Sequence, residues 1–377
     1  MRLSFRRFVF WLHLAIGVLA GIVILMMSAT GVLLTYERQI VEWAERSYTV
    51  HDDAGAQPLA ADEYMHFASS SHPDEDHFFV RFLNRRGAAV PVWAGNHSYL
   101  LNPYSGDILR KGEGSVTDFF KWITTVHRWF AVEGEGVDLA RAVTAYSNLL
   151  FLGLIITGVY LWLPRSWGWQ HVKWRIFLPA SSASTKARDY KWHHALSFWS
   201  VLPLSLIVLT ATIFYFSSWA NEAIYGLYGE AVPVRERAHE DHQPAARGLA
   251  SYESLFQRAK MHASENDAAD WHSMWMEVGA VPGAVEFYID RSIGRRPDYA
   301  YNLVLDEDDG RVLEVKHSTD WSRGDQAWAA ARYLHTGELY GVFGQTIAGL
   351  ASMAACLLVY TGLALAWRRL VSPKFKK

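Results

Sequence analysis

Arg188-Asp-Tyr-Lys-Trp-His-His-Ala-Leu-Ser-Phe-Trp199 sets two adjacent histidines, His193 and His194, at the mouth of a run that carries no charge from Ala195 to Trp219. A run of that length suffices for a helix to cross a bilayer, which takes about 20 apolar residues. Ionisable groups at membrane depth are costly and are kept mainly for ion, proton or cofactor chemistry. Fold and function both turn on what these histidines face.

Three more charge-free runs share that length: Leu14–Tyr36, Ala142–Leu163 and Leu339–Trp367. The first is preceded by Arg2, Arg6 and Arg7, as a signal peptide would be. It is longer than a typical export signal, and no small-x-small cleavage site follows, so it is read as a retained helix. Segments 1–13, 164–194 and 368–377 hold 14 Lys and Arg against the single acid Asp189. The positive-inside bias therefore puts both termini and the 164–194 loop in the cytoplasm. The large loops then face outward, into the periplasm of a cell with two membranes.

The expected fold class is an α-helical membrane protein, a four-helix bundle bearing two outer α+β units. Helix 1 with the amino terminus takes 1–36, and the first outer unit 37–116. An interfacial helix takes 117–141, helix 2 takes 142–163 and the basic inner loop 164–194. Helix 3 takes 195–219, the second outer unit 220–324 and a second interfacial helix 325–338. Helix 4 takes 339–367 and the inner tail 368–377. In the outer units, helical spacing marks Ala60–Ser70 and Ser251–Ala263. Strand patterning marks Phe78–Leu83, Ala88–Ala94, Ser98–Asn102, Trp271–Val278, Ala284–Asp290, Tyr299–Leu305 and Arg311–Lys316. Turns are expected at Asn102–Gly106 and Asp306–Gly310. Val232–Gly248 reads as a polar linker.

Composition narrows the chemistry. A net charge of −2 with no basic domain gives no sign of nucleic-acid binding, and the lone Cys356 excludes an internal disulfide or a multi-cysteine metal site. The chain has no phosphate-cradling glycine loop and no His-Glu-x-x-His motif. No chain of acids runs through the apolar runs, which argues against ion-coupled transport. His239-Glu-Asp-His242 lies in the polar linker, and Met274 and Met276 share one face of a strand, where core packing is the default.

The two halves of the chain correspond in order. Trp11-Leu-His13 matches Trp192-His-His194 at an offset of 181, Val126-His127 matches Leu334-His335 at 208, and Thr157-Gly158 matches Thr361-Gly362 at 204. Both halves begin inside, so they are parallel repeats about a pseudo-two-fold axis along the membrane normal. His13 then faces His194 near the inner surface, and His127 faces His335 near the outer one. His193, about 100° round the helix from His194, is left at the edge of the inner site. Two imidazoles on opposite sides of a flat macrocycle are a known way to hold haem iron inside a helix bundle. Arg6, Arg7 and Lys191 inside, and Arg128 and Arg332 outside, are candidate partners for propionates.

These residues resemble the PepSY-associated transmembrane family. The motifs are Trp11-Leu-His-Leu-Ala-Ile-Gly17, Val126-His-Arg-Trp129, Asp189-Tyr-Lys-Trp-His-His194 and Leu334-His-Thr-Gly-Glu-Leu-Tyr-Gly341, with an Asn/Asp-x-x-x-Gly turn in each outer unit. Within the family the chain is similar to its siderophore-reductase branch. That resemblance implies a bacterial inner-membrane protein with two b-type haems, ligated by His13 with His194 and by His127 with His335. It implies a ferric siderophore substrate, a hydroxamate type fitting best, and a cytoplasmic or quinol electron donor. Trp93, Tyr104, Trp271 and Trp275 are possible docking residues, with core packing the better expectation. Other outcomes are a conduit to another periplasmic acceptor, a non-enzymatic peptide- or protease-binding protein, and metal permeation. The stretch Val132-Glu-Gly-Glu-Gly136 departs from the second half in its spacing and bears on the height of His127.

Overall fold

The computed structural model describes residues 5–51, 55–164, 168–178, 181–233, 250–293 and 296–371. In chain order its helices are α1 (Phe5–Leu34), α2 (Glu37–Glu45), α3 (Ala61–Ser71), α4 (Ser115–Trp129), α5 (Val137–Trp162), α6 (Trp169–Ile176), α7 (Thr185–Tyr215), α8 (Ser217–Leu227), α9 (Tyr252–Glu265), α10 (Arg323–Thr336) and α11 (Gly341–Leu370). Its strands are β1 (Phe78–Leu83), β2 (Val90–Ala94), β3 (His97–Leu101), β4 (Ile108–Lys111), β5 (Ser273–Val278), β6 (Ala284–Asp290), β7 (Ala300–Asp306) and β8 (Val312–His317). Contacts divide the chain into a helical unit (Met1–Tyr36, Phe120–Ala223, Ala330–Lys377) and a sheet unit (Glu37–Phe119, Ile224–Ala329).

In the helical unit, Phe5–Leu34, Gly134–Trp162, Thr185–Tyr215 and Glu338–Leu370 are each long and apolar enough to cross a membrane. α1 packs against α5 and α11, and α7 packs against the same two. α1 and α7 therefore stand at opposite corners of a four-helix bundle. Large apolar side chains point outward from these helices, among them Leu19, Ile22, Ile156, Leu202 and Phe343. Such a surface suits lipid and would be a liability in water. The mid-bundle core is Leu204, Ala351 and Ala355, with Phe151, Ile155, Ile207 and Leu358 against it.

One expectation fails at its boundary. The sequence reading places the inner loop at 164–194, yet α7 begins at Thr185, so the Arg188–Trp199 stretch is helix throughout. Ser184 caps the helix, its side chain accepting from the Ala187 N–H at 3.2 Å. The buried Asp189 takes Arg188 at 2.9 Å and Arg368 at 2.6 Å, which ties the first turns of α7 to the end of α11. Ahead of the second spanning segment, α4 stops at Trp129. Phe130 and Ala131 take φ of 58° and 53°, and the chain turns before α5.

The sheet unit also differs from expectation. The two α+β segments do not fold apart: β1 pairs antiparallel with β5 over Phe78↔Val278 to Leu83↔Ser273. The result is one eight-stranded sheet, β4-β3-β2-β1-β5-β6-β7-β8, mirrored in chain order about its central pair. β4, which the strand patterning does not flag, completes one edge. α3 and α9 lie over one face, and the core there includes Tyr64, Val80, Met274, Met276, Phe287, Ile289, Leu255, Leu303 and Leu305. Met274 and Met276 are thus core residues, as their alternation predicts. The turns after β3 and β7 are matched, with Asn102 Oδ1 accepting from the Tyr104 N–H at 2.9 Å and Asp306 Oδ1 from the Asp308 N–H at 3.0 Å. Gly106 and Gly310 close them at φ of 74° and 69°, a conformation glycine adopts without strain.

α3 and α9 cap one another. Asp62 on α3 accepts from the N–H groups of Tyr252 and Glu253 at 2.9 and 3.0 Å, and Glu253 on α9 accepts from the Ala61 N–H at 2.7 Å. Each carboxylate sits where the partner helix leaves unpaired donors and a partial positive charge. Asp62→Ala is expected to lower stability by about 1–2 kcal/mol, read as a reduced thermal midpoint of the solubilised full chain. An unchanged midpoint would show that water replaces the cap without cost.

Candidate functional site

Four histidines meet in two pairs within the helical unit. His13 on α1 and His193 on α7 face each other with ring centroids 6.4 Å apart and planes at 89°. His127 on α4 and His335 on α10 repeat the 6.4 Å separation, with planes at 63°. The structure thus brings His193, not His194, opposite His13. His194 turns to its own helix: its Nδ1 bonds the Tyr190 carbonyl at 3.0 Å, and its ring packs on Tyr190 at 4.3 Å and Trp174 at 6.4 Å. Neighbouring residues on an α-helix point about 100° apart, so only one of the two can address the bundle interior.

Each of the four rings has its Nδ1 engaged by a threonine on a neighbouring helix. His13 meets Thr157 of α5 at 2.8 Å, and His193 meets Thr361 of α11 at 3.0 Å. His127 meets Thr30 of α1 at 2.8 Å, and His335 meets Thr210 of α7 at 3.3 Å. No hydrogen bond to Nε2 of any of these histidines occurs among the described residues. α1 carries His13 of the first pair and Thr30 of the second, and α7 carries His193 and Thr210 at the same spacing. At the rise of an α-helix, the second pair therefore stands about 25 Å along the bundle from the first.

Small residues make room at the rings. A Cβ on Gly158 would lie 3.3 Å from His13 Cε1, one on Gly362 3.5 Å from His193 Cε1, and one on Gly31 3.8 Å from His127 Cε1. Burial, and then the neighbouring His335, press the His127 imidazole down to about 4. Burial also lowers His335, against the opposing pull of the Ile207 carbonyl. Both rings are therefore neutral at pH 7, the form that presents a nitrogen lone pair.

The predicted cations divide. Arg128 gathers with Arg141 and Arg332 beside the second pair; burial, and then the like charge of those two, push the Arg128 guanidinium below its ordinary value. Arg128 and Arg141 both lie 4.9 Å from the Trp129 ring. Three cations pressed together at one end of a bundle form a ready partner for an anion. Arg332 is exposed, and so is Arg7. Arg6 spans to the carbonyls of Leu161 and Leu163 at 2.6 and 3.1 Å. Lys191 lies 5.7 Å from the Trp174 ring, on the His194 side of α7.

In the sheet unit, Trp271 is buried in the core, as expected. Trp93 and Trp275 stack at 5.2 Å and are half-buried, as is Tyr104. Trp275 also lines a shallow cavity of 270 Å³ with Phe79, Glu277, Glu286, Tyr288 and Asn302. His239 and His242, with most of the Val232–Gly248 linker, lie outside the described residues. No group of three or more His, Cys, Asp or Glu side chains able to hold a metal ion occurs among the described residues.

Sequence reading alone does not single out the four threonines or Arg141 as site residues. One signal is present in it: Thr157-Gly158 and Thr361-Gly362 are among the matches on which the expected repeat rests, though without a role. A second lies in the numbering, since Thr30 and Thr210 are related by the same offset as His13 and His193.

No curated protein matches the sequence. The profile of the PepSY-associated TM region matches residues 10–369, which includes all four paired histidines, α4, α10 and the whole sheet unit. With its four candidate spanning helices, the chain belongs to the PepSY-associated transmembrane family.

Proposed function

We propose that the protein is a di-haem electron conduit of the bacterial inner membrane, holding one b-type haem between His13 and His193 and a second between His127 and His335. The observation that carries this is the recurrence of one ring separation, 6.4 Å, at two depths. A ligating imidazole nitrogen sits about 2.0–2.1 Å from a transition metal. With the ring centre roughly 1.1 Å further on, two ligands on opposite sides of one metal have centroids about 6.2–6.4 Å apart. The rings are half-buried, their Nε2 atoms have no partner among the described residues, and glycines line the edges of three of them. Bound haem iron would supply reversible one-electron chemistry at each site.

The chain's own residues do the rest. The histidines fix position and orientation, and the apolar bundle core between the pairs excludes water. Arg128, Arg141 and Arg332 supply positive charge for propionates or an anionic ligand near the second pair. By the charge bias of the loops that pair faces the periplasm, and electrons pass outward from a cytoplasmic or quinol donor. The acceptor we infer is a ferric siderophore of hydroxamate type. Hard oxygen ligands hold ferric iron firmly and suit ferrous iron less well, so gain of one electron frees the metal with the chelator intact.

The test is anaerobic mixing of dithionite-reduced protein, freed of excess reductant, with ferric hydroxamate siderophore. The expected result is loss of the ferrous haem bands matched, electron for electron, by ferrous iron captured in a coloured chelate. Bands that persist beside the siderophore, yet vanish on adding another oxidant, would point to a different periplasmic acceptor.

A further inference from the structure

We propose that Thr30, Thr157, Thr210 and Thr361 are positioning residues that lock the four paired histidines in one tautomer, with Nδ1 protonated and Nε2 bare. This rests on the di-haem reading for its consequence but not for its geometry. A hydroxyl has one proton to give. Each of these threonines has a carbonyl one turn back on its own helix within reach of that proton: Thr30 to Met26 at 2.8 Å, Thr157 to Gly153 at 2.6 Å, Thr210 to Leu206 at 2.7 Å and Thr361 to Leu357 at 2.8 Å. A carbonyl can only accept. Once the hydroxyl proton is committed there, Oγ1 faces the imidazole as an acceptor, and Nδ1 must be the donor.

His335 makes the assignment twice over, because its Nδ1 also lies 3.0 Å from the Ile207 carbonyl. A neutral imidazole with its proton on Nδ1 has its lone pair on Nε2. That is the atom a metal takes, and a hydrogen bond to the opposite nitrogen orients the ring and makes it a stronger donor.

A threonine in an apolar helix bonds back to its own backbone as a matter of course, so one such contact would mean little. Here the contact occurs at four histidines out of four, and each bundle helix contributes one threonine. Each is followed by a small residue, Gly31, Gly158, Ala211 or Gly362. At the three glycines the ring edge lies close enough that an added Cβ would touch it. The spacings repeat as well, with one sequence offset relating Thr30 to Thr210 and His13 to His193.

Valine keeps the shape of threonine and removes the hydroxyl. In Thr361→Val the His193 ring loses its acceptor, donates less charge to a bound metal and stabilises the ferric state less. The expected result is a roughly three- to tenfold shift of the reduction equilibrium toward ferrous, at about 59 mV per tenfold for one electron. The shift should be confined to the His13–His193 site, and Thr361→Ser should reverse it. Thr30→Val should move only the His127–His335 site. Loss of haem from a valine variant that its serine counterpart retains also supports the proposal.

Haem-loaded valine variants with wild-type potentials, or shifts that serine does not reverse, would overturn it. If the wild-type protein binds no haem, the functional reading falls and the lock is judged separately, by 15N NMR of labelled histidine in the metal-free protein. Nδ1-protonated signals that are lost in the valine variants would uphold the lock. Signals of the other tautomer would reject it.

Discussion

His193→Ala is expected to remove one of two haems per chain, whereas His194→Ala leaves both. The two side chains are neighbours in sequence and differ in almost every physical respect. His193 stands 6.4 Å from His13, is held by Thr361 at 3.0 Å, and meets Gly362 edge-on. His194 is bonded to Tyr190 one turn back on its own helix and packs among aromatic rings. Without His193, haem iron held at that site would keep His13 as its one protein ligand. Loss of an outer-sphere partner alone costs about 10–100-fold in metal affinity, so loss of the ligand itself should cost at least that. Haem-to-protein ratios on the two purified variants decide the matter. Equal haem loss from both would mean the ring pairing at His13 is misassigned.

The second large effect concerns the other end of the bundle. His335→Ala should lower ferric-siderophore reduction by roughly 100-fold or more, by the same ligand-affinity argument. The His13–His193 haem should stay bound and reducible by dithionite. The two pairs stand about 25 Å apart along the bundle, and they share neither a helix turn nor a threonine. Damage at one should not spread to the other, because effects at well-separated sites are nearly independent. Rapid-mixing spectra of the variant separate the two outcomes. A variant that still reduces the siderophore at the wild-type rate would place the exit elsewhere than His127 and His335.

Much of the fold is legible in the sequence because it rests on local signals. Four apolar runs of bilayer length mark the spanning helices, and period-two patterning places β1 and β6 at their observed bounds. The β1–β5 pairing is not legible. Strand pairing between segments so distant in the chain leaves no local mark, so one continuous sheet reads as two units. The start of α7 escapes for a different reason. Lys186, Arg188 and Lys191 look like loop charge, although Lys and Arg are good helix formers and Ser184 supplies the cap.

The histidine pairs are legible as a pattern, but the choice between His193 and His194 is not. Alignment on Trp11 and Trp192 gives an offset of 181 and points to His194. Thr30 and Thr210 give 180 and point to His193, as the rings do. The threonines themselves cannot be singled out from sequence. A Thr in an apolar helix is ordinary until its hydroxyl is seen against a ring nitrogen.

The most direct test of the central claim is the haem content and reduced-minus-oxidised spectrum of the purified full-length protein. Two haems per chain are expected, both low-spin and both reducible by dithionite. With the His13 and His193 planes at 89° and the His127 and His335 planes at 63°, the ferric sites should give two distinct low-spin EPR signals, the first the more anisotropic. A folded protein that is colourless, or that carries a single haem, would contradict the account.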